Sequence, residues 1–282
     1  MNFDPDPATE QLRSEIRAFL HQQLPSNAAV HRQRYLSSPR SDVEQWTRVL
    51  NKKGWLVPHW PREWGGNDWT PLQRYVLEEE LAASYAPDLD RIAIGLIGPV
   101  LCAYGSEYQK QRYLPRIRNA DDLWCQGFSE PQAGSDLSLI RTRAVRDGDY
   151  FIVNGRKLWI TSAHISDMMF ALVRIAATAK PGHGLSMLLI DMHDPGVSVR
   201  PIITIDERPD EREMLSEVIL EDVKVPAKEL VGEEGQGWLY ARSLITHERV
   251  IVPKVPYTKR DLATLKKLAT QQRRNGSPLI ND

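Results

Sequence analysis

Three stretches of this 282-residue sequence carry the side chains best able to do chemistry. Cys125-Gln-Gly-Phe-Ser-Glu-Pro-Gln-Ala-Gly-Ser-Asp136 and Val153-Asn-Gly-Arg-Lys-Leu-Trp-Ile-Thr161 gather hydroxyls, amides, glycines and an indole. Thr246-His-Glu-Arg249 sets a carboxylate beside a guanidinium on a stretch with helical periodicity. A carboxylate can remove a weakly acidic proton when a closed, apolar pocket raises its pKa toward the working pH. On a helix the same Glu-Arg neighbours ordinarily form a surface or interface ion pair, and Trp159 with Thr161 is ordinarily an aromatic and β-branched strand end. Other chemistries are disfavoured. Cys102 and Cys125 are the only cysteines and have no metal-ligand spacing, so neither a metal site nor a disulfide is expected, which fits a reducing cytosol. No Gly-x-Gly-x-x-Gly follows a strand and no phosphate loop ends in Gly-Lys-Ser or Gly-Lys-Thr, which disfavours Rossmann-type nucleotide binding.

The elements that must position these residues follow from periodicity. Up to about residue 120 the signals are helical, with Leu12, Ile16, Phe19 and Leu20 on one face after an Asp6-Pro7 start. Ser41 with Glu44, Thr70 with Gln73 and Ser106 with Gln109 have capping-box spacing and predict three further helix starts. The segment Gly54–Trp69 is dense in Trp, Pro and Gly and predicts a packed loop whose tryptophans fill core. After residue 120 the period becomes that of strands. Asp147-Gly148 and Asn154-Gly155 predict hairpin turns joining 141–145, 149–153 and 156–160 in an antiparallel meander. Further strands are predicted at 168–175, 185–191, 197–201 and 217–225, enough for a small barrel or two packed sheets. Helical periodicity returns from Glu233, with a second helix from about Lys259 to Arg273.

The expected order is therefore α, β, α: an N-terminal helical domain (1–120), a middle antiparallel β-barrel (121–231) and the start of a C-terminal helical bundle (232–282). Lys plus Arg total 36 against 37 for Asp plus Glu, so the charge footprint of a general nucleic-acid binder is missing. The N-terminus has acidic residues and prolines where an export signal needs a basic and then an apolar run. The longest apolar stretch, Ile92–Tyr104, is broken by Gly95, Gly98 and Pro99 and is too short for a membrane span. A cytoplasmic location is expected.

The two long segments, in this order, resemble the paired flavin-contact signature of the acyl-CoA dehydrogenases. The resemblance extends over the whole chain, including the 54–69 loop, Glu221-Asp-Val-Lys-Val-Pro226 and the Gly232-to-Trp238 turn. It is strongest to the bacterial branch containing pimeloyl-CoA dehydrogenase large subunits and heteromeric sterol side-chain dehydrogenases. It implies a helical domain, a β-barrel and a helical bundle, with FAD held between barrel and bundle. The family's bundle would run on beyond Asp282, so either a longer chain or a partner is expected to complete the site.

The resemblance also implies the chemistry, α,β-desaturation of an acyl-CoA thioester by α-proton removal and β-hydride transfer to flavin N5. Gln126, Phe128, Ser129, Gly134, Ser135, Trp159, Ile160 and Thr161 are the implied FAD contacts. Trp159 lies against the isoalloxazine, Thr161 near N5, and Ser135 at the pyrophosphate or the CoA portion. Many members carry the base late in the bundle, but one group has a Glu directly before an Arg on the first bundle helix. That places Glu248 as general base, Arg249 as the positive group orienting it, and Ser135, Thr246 and Arg249 at the substrate; His247 reads as structural or surface. The implied partners are acyl-CoA, an electron-accepting flavoprotein, and a second copy or a related dehydrogenase subunit. Two alternatives stay open, a non-catalytic or half-site subunit of a hetero-oligomer and an acyl-CoA oxidase.

Overall fold

Helix α1 (Pro7–Gln23) starts where the Asp6 carboxylate accepts the Thr9 N–H at 2.7 Å and Pro7, which has no N–H to leave unpaired, takes the first helical position. The computed structural model describes residues 6–24, 38–175, 184–205, 214–251, 254–274 and 276–281. Four more helices precede the sheet: α2 (Arg40–Lys53), α3 (Pro71–Ala83), α4 (Gly98–Tyr104) and α5 (Glu107–Arg118). Two follow it, α6 (Gly237–Ile251) and α7 (Val255–Gln271). The predicted capping boxes form at Thr70/Gln73 and Ser106/Gln109, with both reciprocal bonds in place. The one expected from Ser41 and Glu44 does not. Helix α2 begins two residues earlier, with Pro39 at the N-cap, and Glu44 is taken by Arg40 Nε at 2.7 Å, so it cannot turn back to cap.

The chain divides into two compact units. One holds α1, α3 and α7. There Glu80, nearly buried, collects Arg13 at 2.7 Å and Arg17 at 2.9 Å, while Glu79 collects Arg13 at 2.8 Å and also Lys259. Tyr85 meets Thr264 across α3 and α7 at 3.1 Å. Leu262, Leu265 and Leu268 remain exposed on α7.

The other unit holds α2, α4, α5, the sheet and α6 as far as Arg249. Its tryptophan loop is packed as expected, with Trp55 and Trp60 buried. A π-helical turn at Ala93–Ile97 runs into Pro99, which has no N–H to give the Ile94 carbonyl; Trp60 Nε1 donates to that carbonyl instead, at 2.8 Å.

The strands are β1 (Trp124–Gly127), β2 (Arg143–Asp147), β3 (Tyr150–Thr161), β4 (Met168–Arg174), β5 (Leu185–Asp191), β6 (Val197–Pro201) and β7 (Leu215–Pro226). They form one sheet in the order β1-β4-β2-β3-β7-β6, with β5 paired to β4. A separate two-residue hairpin pairs β8 (Arg273–Arg274) with β9 (Ser277–Pro278). The sheet is mixed where a purely antiparallel meander was expected: β1 runs parallel to β4, and β2 touches β4 in parallel at Arg143 and Arg174. Phe151, Val153, Ala171, Val173, Leu188, Val218 and Val223 form its apolar core.

Asp147-Gly148 makes the predicted turn between β2 and β3. Asn154-Gly155 does not turn. β3 continues through it for twelve residues, and the dipeptide marks a register shift against β7. The Asn154 amide donates to the Asp222 carboxylate at 3.0 Å and its oxygen accepts the Asp222 N–H at 2.9 Å, which holds Asp222 at a φ of 52°. Gly155 is required here by close approach, since a Cβ would drive into Thr142. Gly155→Val is expected to cost about 1–3 kcal/mol through overpacking, measured by chemical denaturation.

Candidate active site

Lysine at position 157 follows the inward alternation of β3 and is fully buried. Its ammonium has three protons and three acceptors: Glu130 Oε1 at 2.8 Å, the Leu172 carbonyl at 2.7 Å and the Phe128 carbonyl at 3.3 Å. Glu130, 4% exposed, is equally filled. One oxygen accepts the Thr142 N–H at 2.9 Å and the Thr142 hydroxyl at 2.5 Å; the other accepts the Arg141 N–H at 2.7 Å and the Gln132 amide at 2.6 Å. Burial draws the Lys157 ammonium down to about 8, against the lift from Glu130. Burial also works to raise Glu130, but Lys157, Thr142 and Arg141 together hold its carboxyl below the usual range. Three acceptors around Nζ, and donors on both carboxylate oxygens, fit an ammonium–carboxylate pair.

Beyond Lys157 the strand stops alternating. Lys157 faces Val218 and Ile160 faces Ser216, so three steps on β3 match two on β7. The extra residue is absorbed at Trp159, whose φ of 64° is rare for a bulky side chain and turns the indole outward to 55% exposure. Ile160 returns to the core, so only its backbone is left for the site. Ser162 repeats the left-handed conformation at φ 62°. The bulge is tied to the other long segment through Leu158 N–H, which donates to the Ser129 carbonyl at 2.9 Å. Ser129 and Thr161, both half-buried, therefore belong to paired neighbouring segments.

Strand β1 leads directly into that contact. Its Trp124 N–H donates to Asp90 at 3.0 Å, and the Phe128 ring packs edge-on against Phe170 with centroids 5.7 Å apart. Gln126, half-buried on β1, lies near enough to the Glu248 carboxyl on α6 to favour its ionised form. Burial pushes the Glu248 carboxyl above its ordinary range, and Gln126 offsets this only in part. Gly134, Ser135, Thr246 and Arg249 are exposed, and the Thr246 hydroxyl donates to its own helix at Arg242. The His247 side chain lies outside the described residues. Sequence reading gave no role to Glu130 or Lys157, although a lysine at an inward strand position was the available signal. It also placed Gln126 with the cofactor and did not pair it with Glu248.

Comparison with known proteins accounts for this arrangement. Residues 6–121 match the acyl-CoA dehydrogenase N-terminal domain and residues 125–223 the acyl-CoA dehydrogenase middle domain. Acyl-CoA dehydrogenase IpdE1 of Mycobacterium tuberculosis is 35% identical, over 97% of this chain and 72% of its own length. Acyl-CoA dehydrogenase FadE29 of the same organism is 33% identical, over 89% of this chain and 63% of its own length. A chain of the M. tuberculosis ChsE4-ChsE5 complex superposes with a TM-score of 0.82 at 31% identity, over all of this chain and 71% of that one. The chain belongs to the acyl-CoA dehydrogenase family of flavoprotein oxidoreductases, and its helical N-terminal region, sheet-built middle and C-terminal helices are that fold. Among the described residues no helix is long and apolar enough to cross a membrane.

Because Gln126 offsets part of the rise that burial gives the Glu248 carboxyl, Gln126→Leu should raise its pKa further. A carbon-13 NMR titration of Glu248 in the two proteins checks the direction.

Proposed function

We propose that this chain introduces an α,β double bond into an acyl-CoA thioester, with residues 121–231 carrying the cofactor contacts and 232–282 the base. The observation that carries the reading is the closeness of Gln126 to the Glu248 carboxyl. It sets a half-buried carboxylate of raised pKa two residues from Phe128, on the strand that runs into the Ser129–Leu158 contact. Two hydroxyls and an outward-turned indole fit the face and polar edge of a flavin ring better than they fit an apolar core. FAD, when bound, supplies the acceptor for the hydride that leaves the β-carbon.

The chain's own residues do the rest. Glu248 takes the α-proton onto a carboxylate oxygen, and Gln126 nearby favours its ionised form. Arg249 adds positive charge beside the site, and Thr246 and Ser135 offer hydroxyls to the thioester or CoA portion. Trp159 covers one side of the ring, while Ser129, Thr161 and the backbone at Gly134 and Ile160 provide hydrogen bonds at its edge. The redox partner this reading calls for is an electron-accepting flavoprotein, which would take the electrons onward. Exposed Leu262, Leu265 and Leu268 support association with a second copy or a related subunit. Two free thiols, both held protonated by burial, suit the cytoplasm.

Similarity to chains of the ChsE4-ChsE5 and Tcur3481-Tcur3483 assemblies favours a second reading, a non-catalytic or half-site subunit of a hetero-oligomer. FAD loading and turnover, with and without a co-purifying dehydrogenase subunit, separate the two.

Glu248→Gln keeps shape but deletes the basic oxygen, so stopped-flow reduction of bound flavin by acyl-CoA should slow about 10²–10⁴-fold while both ligands still bind. Unaltered reduction would move the base elsewhere. The base acts only when ionised, so the rate should fall as pH drops through the raised Glu248 pKa. The stability sign is opposite: a folded pKa above the unfolded one makes ionised Glu248 a cost at neutral pH that disappears as pH falls. Thermal unfolding of Glu248→Gln at pH 7 should therefore give an unchanged or higher Tm.

A further inference from the structure

We propose that Glu130 and Lys157 are positioning residues whose buried ion pair locks the Ser129 segment and the Trp159 bulge into one rigid flavin-facing edge. The inference deepens the flavin reading and rests on it. Three observations carry it. The ammonium bonds the carbonyl of Phe128, the residue directly before Ser129, and it belongs to the residue that starts the bulge. The strained turn is held on its far side, where the Ser162 N–H donates to the Met214 carbonyl at 3.0 Å and the Ser162 carbonyl accepts the Ser166 hydroxyl at 2.8 Å. Trp159 and Ser162 both sit in the left-handed region, and the Leu158 N–H to Ser129 carbonyl bond is the direct tie across the gap. A bulky residue stays in such a conformation only where its surroundings over-determine it. The pair provides that: it gathers segments 128–132, 141–142, 157 and 172 around two charges with all three ammonium protons placed.

The choice of an ion pair is informative. A buried pair is no more stabilising than well-packed apolar side chains of the same volume, so burial alone would be served by Met and Leu. Charges add direction. An ammonium fixes three acceptors at hydrogen-bond distance, whereas a methyl group fixes none.

The test compares local with global loosening in the full assembly, using Lys157→Met and the neutral double variant Glu130→Gln with Lys157→Met. Amide hydrogen exchange is read at Leu158, held by Ser129, and at Leu189 in the β4–β5 ladder. FAD affinity is read by flavin fluorescence. In Lys157→Met, protection at Leu158 should fall at least about 10-fold more than at Leu189, and the FAD Kd should rise about 10-fold or more. The double variant should recover Leu189 but neither Leu158 nor FAD affinity. Equal loss at the two amides, as from any damaged core, overturns the proposal, and so does an unchanged FAD Kd. If Lys157→Met does not fold, shape-preserving Thr142→Val, which removes one donor to Glu130, is judged by the same comparison. An unmutated assembly that takes up no FAD counts against the flavin reading alone, and the exchange comparison still decides whether the pair holds the bulge.

Discussion

Taking an ammonium and a carboxylate out of water costs several kcal/mol per ion, and only near-complete hydrogen bonding recovers it. The middle of this chain is arranged around meeting that condition for Lys157 and Glu130. The Phe128 and Leu172 carbonyls, the amides of Arg141 and Thr142, and the Thr142 and Gln132 side chains all converge on the two groups. The parallel contact between β1 and β4 follows from the same constraint. It brings the end of β1 beside Ala171, one residue before the Leu172 carbonyl that Lys157 uses. Removing either charge would strand the other in an apolar interior, so the sheet is committed to this register.

That commitment permits strain next to it. A residue in a sparsely populated backbone region costs about 1–3 kcal/mol, and two such residues, Trp159 and Ser162, lie within five residues of Lys157. The gain is orientation. Period-two alternation would have pointed Trp159 inward with Lys157; the bulge points it out, beside segments that offer hydroxyls. Glu248 shows the same trade differently, as a half-buried carboxyl that burial makes more basic at the expense of its ionised form.

Much of the fold was legible because its signals are local. Asp6-Pro7, Thr70/Gln73 and Ser106/Gln109 cap helices through residues three apart, and no distant contact can easily reverse that. The failures occurred where another partner competes, near or far along the chain. Arg40 took Glu44 from its capping role, and Asp222 took Asn154 from a turn and made it a bulge partner. Parallel pairing of β1 with β4 joins residues 44 apart and leaves no trace in periodicity. At the site, the residue types of the two long segments were readable, and so was the Glu-Arg pair. Which side chains come together was not: the Lys157–Glu130 bond and the approach of Gln126 to Glu248 each join different elements, and a half-buried Gln resembles any other polar strand residue until its neighbour is known.

The closeness of Gln126 to Glu248 has a mechanical consequence as well. Strand β1 is fixed at its start by Asp90, which accepts the Trp124 N–H, and at its end by the Phe128 carbonyl on Lys157. Gln126 lies between these anchors, so the group that favours the ionised carboxylate is mounted on the same short strand that delivers Ser129 to the bulge. Placement of a proposed proton acceptor and placement of the proposed cofactor contacts are therefore not independent. Productive geometry tolerates errors of only about 0.5 Å, and two sites mounted separately would each need their own rigid support. Here one strand of four residues, held by an aspartate at one end and a lysine at the other, serves both. A disturbance of either anchor is transmitted to the carboxylate and to the flavin-facing edge together.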